Sequence, residues 1–219
     1  MKYSHIIWDW NGTLFNDVDW CFRVINSMLS KKGIKTLRGL DDYREAFCFP
    51  IIQYYRNVGF DFDVEPFPVL AEEFMSLYHA EKSGNCQLYP NAEATLEAIK
   101  KSGITQIILS ASEKKILLSQ INEFDITKYF DDILGISDIY AKSKIDIGLE
   151  YLSQNIIKKA VLIGDSVHDS EVADALGVDC ILIPNGHQKR EALQSCNVPM
   201  VDDVSSVSSY LAAKQGAFD

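Results

Sequence analysis

Two carboxylates in this sequence each follow a short apolar run with the composition of a buried strand. Asp9 comes after residues 6–8 and before an Asn-Gly turn signal, and Asp165 comes after residues 160–163 and a glycine. Ligands of open parallel sheets bind in the crevice beyond the carboxyl ends of the strands, so we expect both side chains to face one crevice. For Asp9 alone, an ordinary turn cap is the alternative.

A cation between Asp9 and Asp165 would offset the repulsion of two neighbouring carboxylates. Mg²⁺ fits best, because it prefers hard oxygen ligands and is usually held by one or two carboxylates together with water and a phosphate. The pair of acids therefore predicts a magnesium site that handles a phosphate group.

Apolar runs alternate with amphipathic segments along most of the chain. We predict strands over residues 5–8, 106–109, 160–163 and 180–183, and a weaker one over 200–201. We predict helices over residues 92–101, 114–121, 147–152 and 170–176. This alternation predicts an α/β fold, a Rossmann-like and mainly parallel sheet with helices on both faces.

The interval 16–88 breaks this alternation. It carries helical patterns over residues 18–29 and 69–79 but no convincing buried strand, and it is too long for a plain crossover between two strands. We predict that it forms an inserted α-helical cap, a lid over the crevice. The α/β core domain then consists of residues 1–15 and 89–219.

The composition excludes several classes of protein. The chain has 219 residues and a formal net charge of -10, and no stretch of it gathers enough lysine and arginine to neutralise a row of nucleic-acid phosphates. The five cysteines form no CxxC pair, which indicates reduced thiols. The apolar runs are too short to cross a bilayer. We predict a cytoplasmic monomer or homodimer whose partner is a small molecule, neither nucleic acid nor membrane.

Further polar residues follow or precede the predicted elements where a phosphate would need them. Ser110 follows the strand at 106–109, and the next helix, with Ser112 expected as its N-cap, could bind phosphate oxygens through free amides. Lys142 and Lys144 stand just before another helix. A site with two carboxylates, a metal and a phosphate needs a balancing cation, and either lysine could supply it.

Taken in order, these segments resemble the four motifs of the haloacid dehalogenase-like hydrolase superfamily. The segments are Asp9-Trp10-Asn11-Gly12-Thr13, Ser110, Lys144 and Gly164-Asp165-Ser166-Val167-His168-Asp169. The helical insertion is similar to the type of cap found in phosphoglycolate phosphatases and their relatives. The resemblance spans nearly the whole chain and implies an enzyme that hydrolyses phosphoric monoesters with Mg²⁺.

The resemblance also implies a nucleophile and a metal site. Asp9 would attack phosphorus and form an aspartyl-phosphate. Asp9 and Asp165 would hold Mg²⁺ together with the backbone carbonyl of Asn11. Asp169 would lie beside the ion and orient its ligands or water.

Substrate contacts are implied in the same way. Ser110 would hydrogen-bond the transferring phosphoryl group with help from the amides of Gly12 and Ala111, and Lys144, with Lys142 as its competitor, would neutralise charge. Arg44 in the cap could meet a carboxylate or sugar beyond the phosphate. Phosphoglycolate or a similar small phosphomonoester is the best single candidate for the substrate.

Asn11 is the main departure from the family's pattern. Its phosphatases usually carry an aspartate there, which protonates the leaving oxygen and later activates water, and an amide can do neither. The chain is then a slow phosphatase, another hydrolase of the superfamily such as a phosphonatase or dehalogenase, or a phosphate-binding regulatory protein with weak activity. A receiver-like signalling module is the alternative from another class. His168 is expected to be a bystander, and His187 either flanks the site or sits in a loop.

Overall fold

A computed structural model describes residues 3–80, 86–136 and 143–216 of the chain. Its strands are β1 His5–Trp8, β2 Phe15–Asn16, β3 Gln87–Leu88, β4 Thr105–Glu113, β5 Asp132–Ile136, β6 Ala160–Gly164 and β7 Asp179–Leu182. Five of them form one sheet in the order β5-β4-β1-β6-β7 with every neighbouring pair parallel. The predicted α/β fold with a parallel core sheet is confirmed.

Helices cover both faces of this sheet. They are α1 Val18–Lys31, α2 Leu40–Ala46, α3 Ile51–Asn57, α4 Phe67–Ala80, α5 Ala92–Lys101, α6 Lys114–Glu123, α7 Lys144–Gln154, α8 Val167–Leu176, α9 Arg190–Gln194 and α10 Val204–Gly216. A short 3₁₀ helix spans Thr127–Tyr129. Alternate side chains of β1 enter opposite cores: Ile6 and Trp8 lie in one hydrophobic cluster, and Ile7 lies in the other. The central strand is therefore buried on both faces.

The helices α1–α4, which we call the cap helices, bury a third hydrophobic cluster of their own. In α1, apolar side chains recur every three or four residues, and Val24, Ile25 and Met28 pack with Tyr54 of α3 and Leu70 of α4. The antiparallel strands β2 and β3 pair at the two points where the chain enters and leaves this region. The exact domain boundaries stay a prediction.

Four segments differ from the sequence prediction. Strand β5 was missed because its Asp-Ile-Leu-Gly-Ile sequence carries an acid and a glycine, both poor strand formers. Residues 200–201 contribute only an isolated bridge between Met200 and Leu182. Helix α7 begins at Lys144 instead of residue 147, and β4 continues to Glu113 with a register shift after Leu109. No helix among the described residues is both long and apolar enough to cross a membrane.

Candidate active site

Three buried carboxylates meet at the carboxyl ends of β1 and β6. Asp9 directly follows β1 and Asp165 directly follows β6, and these strands are neighbours in the sheet. Asp169 lies in the first turn of α8, where its carboxylate accepts hydrogen bonds from the N-cap residue Ser166. One ligand oxygen from each acid lies within 4.8 Å of the others. Asp9 and Asp165 therefore lie close together, as their positions at the ends of two strands predict.

Lys144 links two of these acids. Its Nζ atom donates to Asp9 Oδ1 at 2.6 Å and to Asp169 Oδ1 at 2.7 Å. Lys144 reaches them because α7 begins at this residue, with Ser143 as N-cap in a capping box. Burial lowers the pKa of Lys144, but the attraction of both carboxylates outweighs burial and raises the pKa above its ordinary value. The competing Lys142 lies outside the described residues.

The acids outnumber the cation that faces them. Burial raises the pKa of Asp9, and burial together with repulsion from Asp9 and Asp169 raises the pKa of Asp165. At Asp169 burial acts in the same direction, but Lys144 and Ser166 outweigh it and hold the pKa below its ordinary value. Three carboxylates against one ammonium leave an excess of negative charge among hard oxygen donors. This donor set fits a divalent cation such as Mg²⁺.

Two loops close tightly on the carboxylate of Asp165. A Cβ atom at Gly12 or at Gly186 would collide with this carboxylate, and Gly12 also has φ +81°. The Asp165 Oδ2 atom accepts the backbone N–H of His187 at 2.6 Å. The Gly12 amide donates within its own turn to the carbonyl of Phe15. Its proposed role as a phosphate donor stays a prediction.

The amide of Asn11 is held at both ends. Its Nδ2 atom donates to Asp17 Oδ2 at 2.8 Å, and its Oδ1 atom accepts from the Ser112 hydroxyl at 2.8 Å. The expected N-cap role of Ser112 is wrong, because β4 continues through it and Glu113 takes the N-cap position of α6. Because the Asn11 amide nitrogen donates to the Asp17 carboxylate, an amide side chain suits position 11. An aspartate at position 11 would be repelled by Asp17.

Ser110 and Ala111 lie beside these groups on the extended part of β4. The Ser110 side chain is buried, and its hydroxyl oxygen accepts the backbone N–H of Ser112 at 3.1 Å. Both residues line a cavity of about 200 Å³ together with Asp9, Asn11, Lys144, Asp165, Asp169 and the cap residues Phe47, Phe49 and Ile51. Known pockets for drug-sized ligands hold roughly 300–1,000 Å³, so the cavity suits a small substrate.

A buried polar network that the sequence analysis did not foresee flanks this cavity. The ring of His187, which lines the cavity, contacts Asp17 Oδ1 through Nε2 at 3.2 Å and the Tyr43 hydroxyl through Nδ1 at 2.8 Å. Tyr78 donates to the other oxygen of Asp17 at 2.8 Å. Burial lowers the pKa of His187, but Asp17 outweighs burial and raises it. Asp17 thereby joins Asn11 to His187.

Arg44 lies beside the site but does not line the cavity. Its guanidinium donates to the carbonyls of Gly186 and Asn185, at 2.9 and 3.3 Å. In this arrangement Arg44 joins α2 to the loop that carries His187. A contact between Arg44 and substrate stays a prediction.

Removing divalent metal should make the stability of the protein fall as pH rises. In the folded state the pKa of Asp9 is raised to about 6 and that of Asp165 to about 8, so both hold protons that the unfolded chain, with ordinary values of 3.8, has released. The proton on His187 acts in the same direction.

We therefore expect the free energy of unfolding in EDTA, measured with urea, to decline between about pH 4 and pH 8. We expect saturating Mg²⁺ to remove most of this decline, because a metal held by these acids would favour their deprotonated forms. A free energy of unfolding in EDTA that increases from pH 4 to pH 8 would contradict the conclusion that these acids carry excess negative charge.

Comparison with known proteins places this geometry in a family. The model of the family described as haloacid dehalogenase-like hydrolase matches residues 6–183. A phosphoglycolate phosphatase of Rhodobacter capsulatus is 25% identical over 84% of this chain and 85% of its own. A phosphoglycolate phosphatase of Pseudomonas savastanoi pv. phaseolicola is 22% identical over 90% of this chain and 75% of its own.

A solved structure has the same fold. The haloacid dehalogenase-like family hydrolase from Streptococcus pneumoniae superimposes with a TM-score of 0.81 at 20% identity, covering 95% of this chain and 98% of that one. The match therefore extends over both the parallel sheet and the cap helices.

Proposed function

Because the chain belongs to the haloacid dehalogenase-like hydrolases, we propose that it is a Mg²⁺-dependent phosphatase that hydrolyses a small phosphomonoester through an aspartyl-phosphate on Asp9. One observation carries the proposal. Asp9 lies at the end of a central strand with Lys144 Nζ at 2.6 Å, and Asp165 and Asp169 lie beside it. The proposal is supported by this arrangement, because a carboxylate able to act as nucleophile, a cation and oxygen donors suited to a metal lie in one cavity.

The described side chains can perform the first chemical step. A carboxylate oxygen of Asp9 forms a bond to phosphorus while the P–O bond to the leaving group breaks and the leaving group departs with that electron pair. Lys144 neutralises charge on Asp9 and on the phosphoryl group during this transfer. The Thr13 hydroxyl donates to Asp9 Oδ2 at 3.1 Å, which orients the nucleophile. Ser110 supplies a hydroxyl at the wall of the cavity. Most of the rate enhancement then comes from positioning and electrostatics.

Asp9, Asp165 and Asp169 are the residues that would hold Mg²⁺. The ion supplies charge neutralisation for the phosphoryl oxygens when it is bound. Among the described residues, a second group of side chains close enough together to bind a metal consists of Asp17, Cys21 and His187. These three are already joined by hydrogen bonds among themselves and with Asn11 and Tyr78.

A second candidate function is phosphate binding with only weak turnover. It is favoured by Asn11, whose tethered amide supplies no proton to a leaving group. The relatives reported above are phosphoglycolate phosphatases by name, so 2-phosphoglycolate belongs among the substrates tested first.

Release of inorganic phosphate from p-nitrophenyl phosphate and 2-phosphoglycolate tests the proposal. We expect repeated turnover of p-nitrophenyl phosphate with Mg²⁺, and a loss of roughly 10²-fold or more of this activity in EDTA that is restored by adding Mg²⁺ back. Ca²⁺ is the matched control ion, since it accepts the same oxygen ligands with looser geometry. Full activity in EDTA would contradict the metal-dependent mechanism. A single burst of phosphate would favour the weak, phosphate-binding alternative.

A further inference from the structure

An apolar surface, which we call the apolar wall, lines the same cavity as the carboxylates of Asp9, Asp165 and Asp169. It consists of Phe47 and Phe49, which lie in the connection between α2 and α3, and of Ile51, the first residue of α3. Because the cavity is small, a phosphate bound near Asp9 would direct the rest of the substrate toward this wall. The chemistry of the wall therefore selects the leaving group.

Contacts with the core hold the apolar wall in place. The ring of Phe47 stacks on His187 at a centroid distance of 4.9 Å, and that of Phe49 stacks on His168 at 4.5 Å. The carbonyl of Phe47 accepts a hydrogen bond from Gln188 at 3.1 Å. The two phenylalanine rings also meet edge to face, with centroids 5.7 Å apart. These contacts fix the positions of both phenylalanine rings where they line the cavity.

No cation among the described residues that line the cavity is free to meet a carboxylate on the substrate. Among the described residues that line the cavity, those able to carry positive charge are Lys144, His168 and His187. Lys144 already contacts two carboxylates, His187 contacts Asp17, and His168 Nδ1 lies 3.3 Å from Glu171. The guanidinium of Arg44 is turned to backbone carbonyls. Burying a second anion against phenylalanine would be costly.

Asn11 restricts the leaving group independently of the apolar wall. Its amide, tied to Asp17 and Ser112, cannot protonate the oxygen that departs from phosphorus. Alcohols that leave as unstable alkoxides depend on such help, whereas a phenol leaves as a phenolate with far less need of it.

Resting on the proposed function, we propose that the substrate is an aryl phosphate, the phosphomonoester of a phenol that bears no negative charge near its ring. A lone pair of Asp9 forms the new O–P bond while the P–O bond to the phenol breaks, and that electron pair stays on the phenolate, which takes a proton from solvent. Water then attacks phosphorus, the bond to Asp9 breaks, and the carboxylate is regenerated with release of inorganic phosphate. The water's protons pass to phosphate and solvent.

Non-hydrolysable inhibitors isolate binding from leaving-group chemistry. Phenylphosphonate and phosphonoacetate share the phosphonate head but carry a ring and a carboxylate respectively. We expect phenylphosphonate to inhibit p-nitrophenyl phosphate hydrolysis at least about 10-fold more tightly, because the ring is buried against phenylalanine. Equal or tighter inhibition by phosphonoacetate would overturn the assignment.

Substitutions in the apolar wall test whether its side chains cause the preference for phenylphosphonate over phosphonoacetate. Phe49→Ala should weaken inhibition by phenylphosphonate roughly 10-fold and leave inhibition by inorganic phosphate nearly unchanged, since only the ring loses its partner. Phe62→Ala, a matched change in the connection between α3 and α4 and outside this cavity, should alter neither constant. Phe49→Arg should reverse the preference toward phosphonoacetate. If Phe49→Ala and Phe62→Ala weaken inhibition by phenylphosphonate equally, the apolar wall has no specific role in binding the ring.

Turnover of esters tests the leaving-group argument. We expect kcat/KM for phenyl phosphate to exceed that for benzyl phosphate by roughly 10²-fold or more, because both carry a ring but only phenol leaves readily without an acid. Equal kcat/KM for phenyl phosphate and benzyl phosphate would overturn the leaving-group argument. If p-nitrophenyl phosphate is hydrolysed through Asp9 but phosphonoacetate binds better, the substrate class fails and the proposed function stands. If no ester releases phosphate in an Asp9-dependent way, the proposed function itself fails.

Discussion

Asp9→Asn should lower kcat/KM for p-nitrophenyl phosphate by roughly 10⁴-fold or more, because the amide cannot form the covalent phosphoryl intermediate. Asp9→Asn should still fold. Lys144 keeps Asp169 as a partner at 2.7 Å, and the repulsion that Asp9 exerts on Asp165 disappears. In EDTA above neutral pH, the variant should therefore unfold at a urea concentration equal to or higher than that of the wild type.

Asp179→Asn provides the matched control for this change. Asp179 is an exposed acid at the start of β7 that pairs with Lys159, far along the strand from the catalytic end. Its substitution should leave kcat/KM within about twofold of the wild type, as expected for a surface ion pair. Retention of most activity in Asp9→Asn would remove the nucleophile from the mechanism.

Lys144→Met should be the most destabilising single change in the site. The Lys144 side chain is 4% exposed and lies between Asp9 and Asp169, so its loss leaves two buried carboxylates without a cation. Removing one partner of a buried ion pair costs about 3–5 kcal/mol. Activity should fall by roughly 10²–10³-fold as well, since the proposed mechanism assigns to Lys144 the charge that stabilises the transferring phosphoryl group.

Lys100→Met tests whether this cost comes from burial. Lys100 pairs with Asp131 at 2.7 Å, but both side chains are about 40% exposed, at 38% and 41%. We expect a change of less than about 1 kcal/mol in the free energy of unfolding, measured with urea. Lowering the pH toward 5 should recover part of the loss in Lys144→Met, because protonation removes the uncompensated charge. Equal destabilisation by both substitutions would contradict the account.

The strand-end positions of the site could be predicted from sequence because they depend on local chain properties. Apolar runs before Asp9 and Asp165 define parallel strands, and the geometry of a parallel sheet then brings their ends together. The same logic placed Ser110 at the cavity. Lys144 could be proposed only as one of a basic pair, since which lysine faces the acids depends on where α7 begins.

The cap contacts could not be predicted in this way. Asp17 has the sequence position of an ordinary helix N-cap, yet its side chain makes no capping hydrogen bond and instead contacts Asn11, Tyr78 and His187. His187 is distant in sequence from Asp17, and no spacing rule joins a loop residue to a helix start in another layer. Such pairings are fixed by tertiary packing of the cap helices on the core, which periodicity does not encode.

The central claim is that Asp9 accepts the phosphoryl group, and trapping this intermediate tests it most directly. Acid quenching of the enzyme during turnover of p-nitrophenyl phosphate, followed by peptide mass spectrometry, should show a phosphoryl adduct on the peptide that contains Asp9. The adduct should be absent from Asp9→Asn and from enzyme incubated with inorganic phosphate in EDTA. Turnover without any adduct on Asp9, or an adduct on another residue, would contradict the mechanism.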